Sequence, residues 1–464
     1  MLKRLNPFPT QKNDPELHPY RHGLHFSFFN ALNWQIGIGT PMVLFMEQLG
    51  ASSFQVGLAY AFTFLLTPVQ VVATAWLPRY GFKRLTLLGW GLRGWFLIVP
   101  VVLAVWGPAV PPVWTIYAFV AAMFCYNLSR CIGVGAIVAW MLAWVPEPVR
   151  GRYFAMDQLM SALASVTTLG VSSLMFAALP AYTAFSLQYL SAGAGAWLAY
   201  RCLVRVPDVA RPGAIDLRKV LVETPRLMLR RGSFRHYLWM AVWFMVISTP
   251  MSPFTAYYLK AGAGLTPARI VLFTIMQYLG VIAGTAFMRT RIDRTGARPF
   301  FLFSLALYAL LAVGWWGLLH FGAGIGAVPG ILYFLMGMGS GCWNAANMNY
   351  LAKLLPEQER ALPVALHAAL TSFMGGVATV LWGGFLKGGA APSVDVVAFQ
   401  VFFGVTLVST LVLFPVVACL KEKTGAVEPL IRGESLLRPF RGVTYLASLF
   451  LAPPPTRPPD DPAR

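Results

Sequence analysis

Charge is what this 464-residue sequence has least of. Only 11% of its residues are charged and 57% are hydrophobic, where an ordinary soluble domain carries about 25% charged residues, and this excludes a soluble globular fold. Acidic residues are scarcest, 17 against 36 Lys and Arg, giving a formal net charge of +19. Cysteine is sparse too: Cys125, Cys131, Cys202, Cys342 and Cys419 stand singly in apolar stretches without CxxC or Cys/His spacing. That excludes a disulfide framework or a thiolate metal site and leaves them as small core residues. The chain also lacks an HExxH pair, a GxSxG elbow with partners, paired carboxylates at one membrane face and a P-loop. Integral-membrane enzyme chemistry and ATP-driven transport by this chain alone therefore lose their footing, and no cofactor or metal is expected. No A-x-A-like site follows the polar segment 1–24 closely, so the first apolar run is expected to be retained.

Long apolar runs are what the sequence has in abundance. They fall at about 25–47, 54–77, 85–106, 113–144, 153–178 and 183–204, and resume after a polar interval at 236–259, 268–290, 299–320, 327–354, 362–386 and 395–419. Each is long enough to cross roughly 30 Å of hydrocarbon at 1.5 Å per residue, and in lipid the backbone must satisfy itself, so each is predicted to be a helix. Of the 36 basic residues, 31 lie in the two tails and the even-numbered connections. Such one-sidedness places both termini and the central loop in the cytoplasm. The large positive charge is thus a topological signal, and no nucleic-acid partner is expected, because no basic cluster sits on a folded soluble module.

The halves repeat each other. Pro146-Glu147-Pro148-Val149-Arg150 recurs as Pro356-Glu357-Gln358-Glu359-Arg360, Arg79-Tyr80-Gly81 as Arg294-Thr295-Gly296, and Arg21-His22 as Arg235-His236. Three pairs in one order, at offsets of 210 to 215 residues, predict a duplicated six-helix unit. The intervening 205–235 reads as a basic cytoplasmic linker, with an amphipathic stretch at 215–231 suited to anionic headgroups. Pro453 to Asp461 reads as disordered.

With these features the sequence resembles a major facilitator superfamily transporter over residues 20–420. The resemblance is carried by the six-plus-six layout, the long central loop and the signature turn between helices 2 and 3 of each half. That turn appears as Asp293-Arg294-Thr295-Gly296-Ala297-Arg298 in the second half, and as Pro78-Arg79-Tyr80-Gly81-Phe82-Lys83-Arg84 in the first, with Pro78 in place of the family's Asp. It implies an all-α integral membrane fold of 12 transmembrane helices as two pseudo-symmetric six-helix bundles. The expected parts are a tail at 1–24, bundles at 25–204 and 236–420, the linker at 205–235, and a tail at 421–464. It further implies the cytoplasmic inner membrane, a monomer and a small-molecule substrate. The glycine allows a tight turn and the basic residues anchor it in the headgroups, while Asp293 can cap a helix N-terminus of the opposite half, near Tyr153. Because Pro78 cannot do so, an asymmetric cytoplasmic gate is expected; the alternative is that both turns are only anchors.

By resemblance helices 1, 4, 7 and 10 line a central cavity. Helix 1 offers Asn30, Asn33 and Trp34 on one face, helix 4 offers Asn127 and Arg130, and helix 10 offers Trp343, Asn344 and Asn347. Amides beside indole rings suit a small polar solute, although each amide could equally hold the bundle together. A charge inside a span is costly and needs a partner. Arg130 lies roughly 14 Å in depth from Asp157 by helical rise, so its candidate partners are an anionic substrate group, a backbone carbonyl or cavity water. Arg93 is expected to face other protein or to snorkel. Asp157 is the one candidate buried proton site, although an acid near the start of helix 5 is also favoured by the helix dipole. His367, its equivalent at an offset of 210, is the second titratable candidate.

The expected function is secondary or facilitated transport of a sugar-like solute or organic anion by alternating access, with protons as the candidate coupling ion. Drug/proton antiport is disfavoured, because helix 5 lacks a Gly-Pro motif. Sodium-sugar symport of the melibiose-carrier type is disfavoured by a helix 2 without carboxylates. The alternative is a transporter-like fold acting as a non-transporting assembly or pigment-handling factor.

Overall fold

A computed structural model describes residues 17–73, 76–106, 109, 111–210, 232–289, 292–321, 326–354, 361–386 and 395–420. The amphipathic stretch at 215–231 and the Pro-rich tail lie outside these residues. After a 3-10 turn at His18–Tyr20 the first half contains α1 (Arg21–Gly37), α2 (Thr40–Gln48), α3 (Ser53–Leu65), α4 (Thr67–Ala73), α5 (Leu77–Tyr80), α6 (Phe82–Phe96), α7 (Ile98–Trp106), α8 (Pro112–Trp144), α9 (Glu147–Ala178) and α10 (Ala181–Arg205). The second contains α11 (Ser233–Ser248), α12 (Met251–Tyr257) running into a π turn at Tyr258–Gly262, α13 (Pro267–Arg289), α14 (Ile292–Thr295), α15 (Arg298–Phe321), α16 (Val328–Leu354), α17 (Ala361–Phe385) and α18 (Val396–Ala418). Among the described residues nine helical stretches are long and apolar enough to cross a membrane, and the other three apolar runs are helical as well.

Proline explains where the runs break. Pro41, Pro68 and Pro100 stand in the first turn of α2, α4 and α7, and Pro250 immediately precedes α12. A proline ring cannot continue a preceding helix but fits the first turn of the next. The same rule shortens the connection between α8 and α9. Pro146 occupies the N-cap of α9 and Pro148 its first turn, so the stretch expected as a loop already belongs to a helix.

Helix packing repeats itself between the halves. In the first, α1 packs on α9 and α10, α6 on α8 and α10, and α3 with α4 on α8; in the second, α11 packs on α17 and α18, α15 on α16 and α18, and α13 on α16. The signature turns repeat as well. Gly81 and Gly296 have φ of 77° and 79°, a left-handed conformation that costs other residues roughly 1–2 kcal/mol. Each glycine N–H closes the same five-residue turn, onto the carbonyls of Leu77 and Ile292.

The halves meet along two seams, α3 against α17 and α9 against α13. Ser53 donates to the Gly383 carbonyl (3.0 Å), Ser173 to the Ala268 carbonyl (2.9 Å), and Thr40 pairs with Thr274 (2.7 Å). Glu47 and Lys260 form an ion pair at 3.7 Å across the same boundary. These links lie toward the end of the bundle opposite the start of α1 and the end of α18, and they join the two halves there. Along the α3 seam two glycines let the backbones approach: a Cβ on Gly57 would lie 3.0 Å from both the Thr379 carbonyl oxygen and the Phe254 ring, and one on Gly383 3.0 Å from the Ser53 carbonyl oxygen.

Candidate functional site

α1 is a polar spine whose side chains are claimed one after another. Ser27 donates to Asp157 of α9. Asn30 accepts from both Arg93 and the Trp90 indole of α6. Asn33 donates to the Ala192 carbonyl (3.0 Å) and accepts from Tyr126. Trp34 lies under the guanidinium of Arg130, 5.0 Å from its ring centre. Gln35 donates to Ser165 (2.9 Å) and reaches across the interface to Tyr278 of α13. Polar groups in an apolar interior must find partners, which explains why α1 gathers residues from α6, α8, α9, α10 and α13 around it.

Between the halves, at the level of Trp34, lies a cavity of about 310 Å³, at the small end of ligand sites. The first half lines it with Trp34, Gln35, Thr40, Tyr60 and Thr63. The second contributes Phe244, Ser248, Ser252, Thr274, Gln277, Tyr278, Tyr308, Ser340 and Asn344. None of the lining residues is charged, so the wall offers hydroxyls, amides and aromatic faces. Behind Phe244 the Trp343 indole stacks at 3.6 Å with an interplanar angle of 9°, making a rigid flat wall.

The residues selected from sequence divide sharply. Trp34 and Asn344 line the cavity, and Asn344 has no protein partner among the described residues. Arg130 stands one layer behind, 8% exposed, donating to the Thr63 carbonyl at 2.7 Å. Asn30, Asn33, Asn127 and Asn347 are spent on bonds between or along helices: Asn127 bonds Thr63 and the Met123 carbonyl, and Asn347 accepts from Tyr237. Arg93 is fully enclosed, 1% exposed, between the rings of Trp90 and Tyr126. Among the described residues the lining comes from the helices of runs 1, 2, 7, 8, 9 and 10, with none from α8, the helix of run 4.

Asp157 lies ten residues into α9, beyond the first turn where the dipole acts. The dipole therefore does not account for it, and its bond to Ser27 ties α9 to α1. His367 makes the corresponding tie in the other half: its ring stacks on Tyr237 of α11, 5.3 Å between centres at 9°, and its Nε2 has no hydrogen-bond partner. Of the signature residues, Gly81 and Gly296 make the turns described above, Lys83 is half-buried, and Arg79, Arg84 and Arg298 are exposed on the terminus side. The side chains of Asp293 and Arg294 lie outside the described residues.

The hydroxyl-, amide- and ring-lined cavity missed from sequence rests on Gln35, Gln277, Tyr60, Tyr278, Tyr308 and a set of serines and threonines. Ser, Thr and Tyr are too common in membrane helices to stand out. The two glutamines, as costly as asparagine in lipid, were the available signal.

A helical membrane protein built from two like halves around a polar cavity at their interface belongs to the class of carrier-type transporters. The Major Facilitator Superfamily matches residues 26–379, and the chain belongs to that family. Among solved structures it is similar to the nucleoside transporter NupG, with 12% identity, a TM-score of 0.66, and coverage of 87% of this chain and 100% of that one. It is also similar to a bacterial homologue of the iron transporter ferroportin in an inward-facing state (15%, TM-score 0.65, 87% and 98%) and to the xylose transporter XylE from E. coli in an inward open conformation (13%, TM-score 0.61, 91% and 98%). At such identities the likeness speaks for the fold alone. No curated protein matches the sequence.

Proposed function

We propose that the chain moves a small polar organic solute, sugar-like in its hydrogen-bonding surface, across the membrane by alternating access of its two bundles. The observation that carries this reading is the uncharged cavity between the halves, which are joined to one side of it by the bonds of Ser53, Ser173 and Thr40 and by the Glu47–Lys260 pair. Its flat aromatic faces suit the apolar face of a ring, and its hydroxyls and amides suit the ring's substituents. The basic bias of tails and even connections supports cytoplasmic termini in the inner membrane. The chain works as a monomer of two bundles, 25–204 and 236–420. Uptake of radiolabelled sugars, nucleosides and organic acids into proteoliposomes tests the reading. A chain that moves none of them yet copurifies with a membrane complex would instead be an assembly or pigment-handling factor.

Coupling to protons through Asp157 and His367 is supported by their equivalent places, each tying the fifth helix of its half to the first. Transport with and without a pH gradient tests it, and unchanged coupling in Asp157→Asn removes that residue. The asymmetric gate at Asp293 and Pro78 is tested by cysteine accessibility of the terminus-side entrance in Asp293→Asn and Pro78→Asp; equal, negligible effects would remove it.

A further inference from the structure

Two arginines are buried in the core of the first half, and they are not alike. Arg93 is enclosed by rings on two sides, Trp90 at 4.8 Å and Tyr126 at 5.7 Å, and donates to Asn30. None of those residues lines the cavity. Arg130 also lacks a carboxylate partner among the described residues, but besides a long contact to the Cys131 Sγ (3.8 Å) it leans on the Trp34 ring and the Thr63 backbone, which belong to cavity-lining residues. Its Nη2 is engaged with Thr63 while its Nε has no partner. A guanidinium is a fork shaped for two oxygens of a carboxylate or phosphate, and a charge held in a membrane interior without an acid is expensive unless something completes it. At the repeat offset of 210, moreover, the position of Arg130 corresponds to Ser340, which lines the cavity from the other half.

We infer that Arg130 binds an anionic group, carboxylate or phosphate, carried by the transported solute, and that the Trp34 ring is a lid covering it in the state seen here. Swinging Trp34 about its side-chain torsions exchanges one face of the guanidinium from indole to cavity. The incoming anion then takes the unclaimed Nε, while the neutral wall binds the rest of the solute. This rests on the transport reading and narrows it, from polar solutes at large to those bearing one negative group.

The test uses the full-length protein, purified and reconstituted, with matched probes: glucose against glucuronate, glycerol against glycerol 3-phosphate, and inorganic phosphate alone. The expected result is that the charged member of a pair raises the thermal unfolding midpoint and is taken up. R130M should abolish both effects and R130K retain part of them, because a lysine keeps the charge and loses the fork. Phenylglyoxal, which reacts with accessible arginines, should leave Arg130 unmodified in the resting wild type and modify it in W34A, read by peptide mass spectrometry. Equal binding of neutral and charged members in wild type and R130M would overturn the inference while leaving the transport reading standing. A phosphate effect matching that of glycerol 3-phosphate would overturn the assignment to the solute. If no probe is bound or moved, the transport reading fails for this solute class, and an unmodified Arg130 in W34A overturns the lid as well.

Discussion

The two halves share one packing pattern and, at one set of equivalent positions, fill it with opposite chemistry. By the motif offsets, Asn30, Arg93 and Arg130 of the first half correspond to Phe244, Tyr308 and Ser340 of the second. In the first half Asn30 accepts from a buried guanidinium and an indole. In the second, Phe244 stacks on Trp343 and meets Tyr308 edge-on at 5.0 Å. At this crossing the first half is therefore held by directional bonds to a buried charge, and the second by ring stacking that tolerates small shifts. Duplication fixes which helices touch, and the side chains at each crossing remain free to diverge.

The sharpest way to break this comparison is Asn30→Leu. It leaves the Arg93 guanidinium buried without its acceptor, and a buried charge stripped of its partner costs about 3 kcal/mol. Thermal unfolding in detergent should show the loss, whereas Arg93→Met should cost far less, because Trp90 still satisfies Asn30. The reverse order would mean that Arg93 is not the group that needs satisfying. Next come the two signature turns: Gly81→Ala and Gly296→Ala should each cost roughly 1–2 kcal/mol for the left-handed backbone. Equal midpoint shifts in the two variants are expected, and a marked inequality would show that the turns carry different loads. Phe244→Leu should cost about 1 kcal/mol, the value of a stacked pair, and should lower affinity for any ring-bearing solute in the uptake assay. Smallest is Glu47→Gln. Its ion pair is one-fifth exposed, so the loss is about 0.5 kcal/mol; the informative readout is faster labelling of cysteines placed beside the pair.

Much of this fold was legible because apolar run length, proline and basic charge act locally. The runs, the proline breaks within them and the paired glycine turns can all be read residue by residue. The site was less so. Asn33 and Asn127 look like ligands in a sequence because amides in lipid are costly, yet that same cost commits them to Tyr126, Ala192 and Thr63 inside one half. Which amide is spent and which is left for a solute depends on neighbours 60 to 160 residues away. Asn344 was legible and faces the cavity; Gln35 and Tyr278, joined across the two halves, could not be paired without the fold. The apolar run beginning at 153 puts Asp157 near a helix start, but prolines in a first turn mark the beginning of the helix itself, and Pro146 and Pro148 start α9 ten residues before Asp157.

The glycines along the α3 and α17 seam carry a mechanical consequence. Where Gly57 and Gly383 bring backbone against backbone, the smooth stretch is bounded by the Phe254 ring and the Ser53 bond, which must shift when one bundle turns on the other. Such a surface behaves as a plain bearing: it carries load across the seam while resisting rotation little. Large residues at Gly57 or Gly383 would act as teeth in that bearing, so that a variant still able to fold would be one that turns slowly.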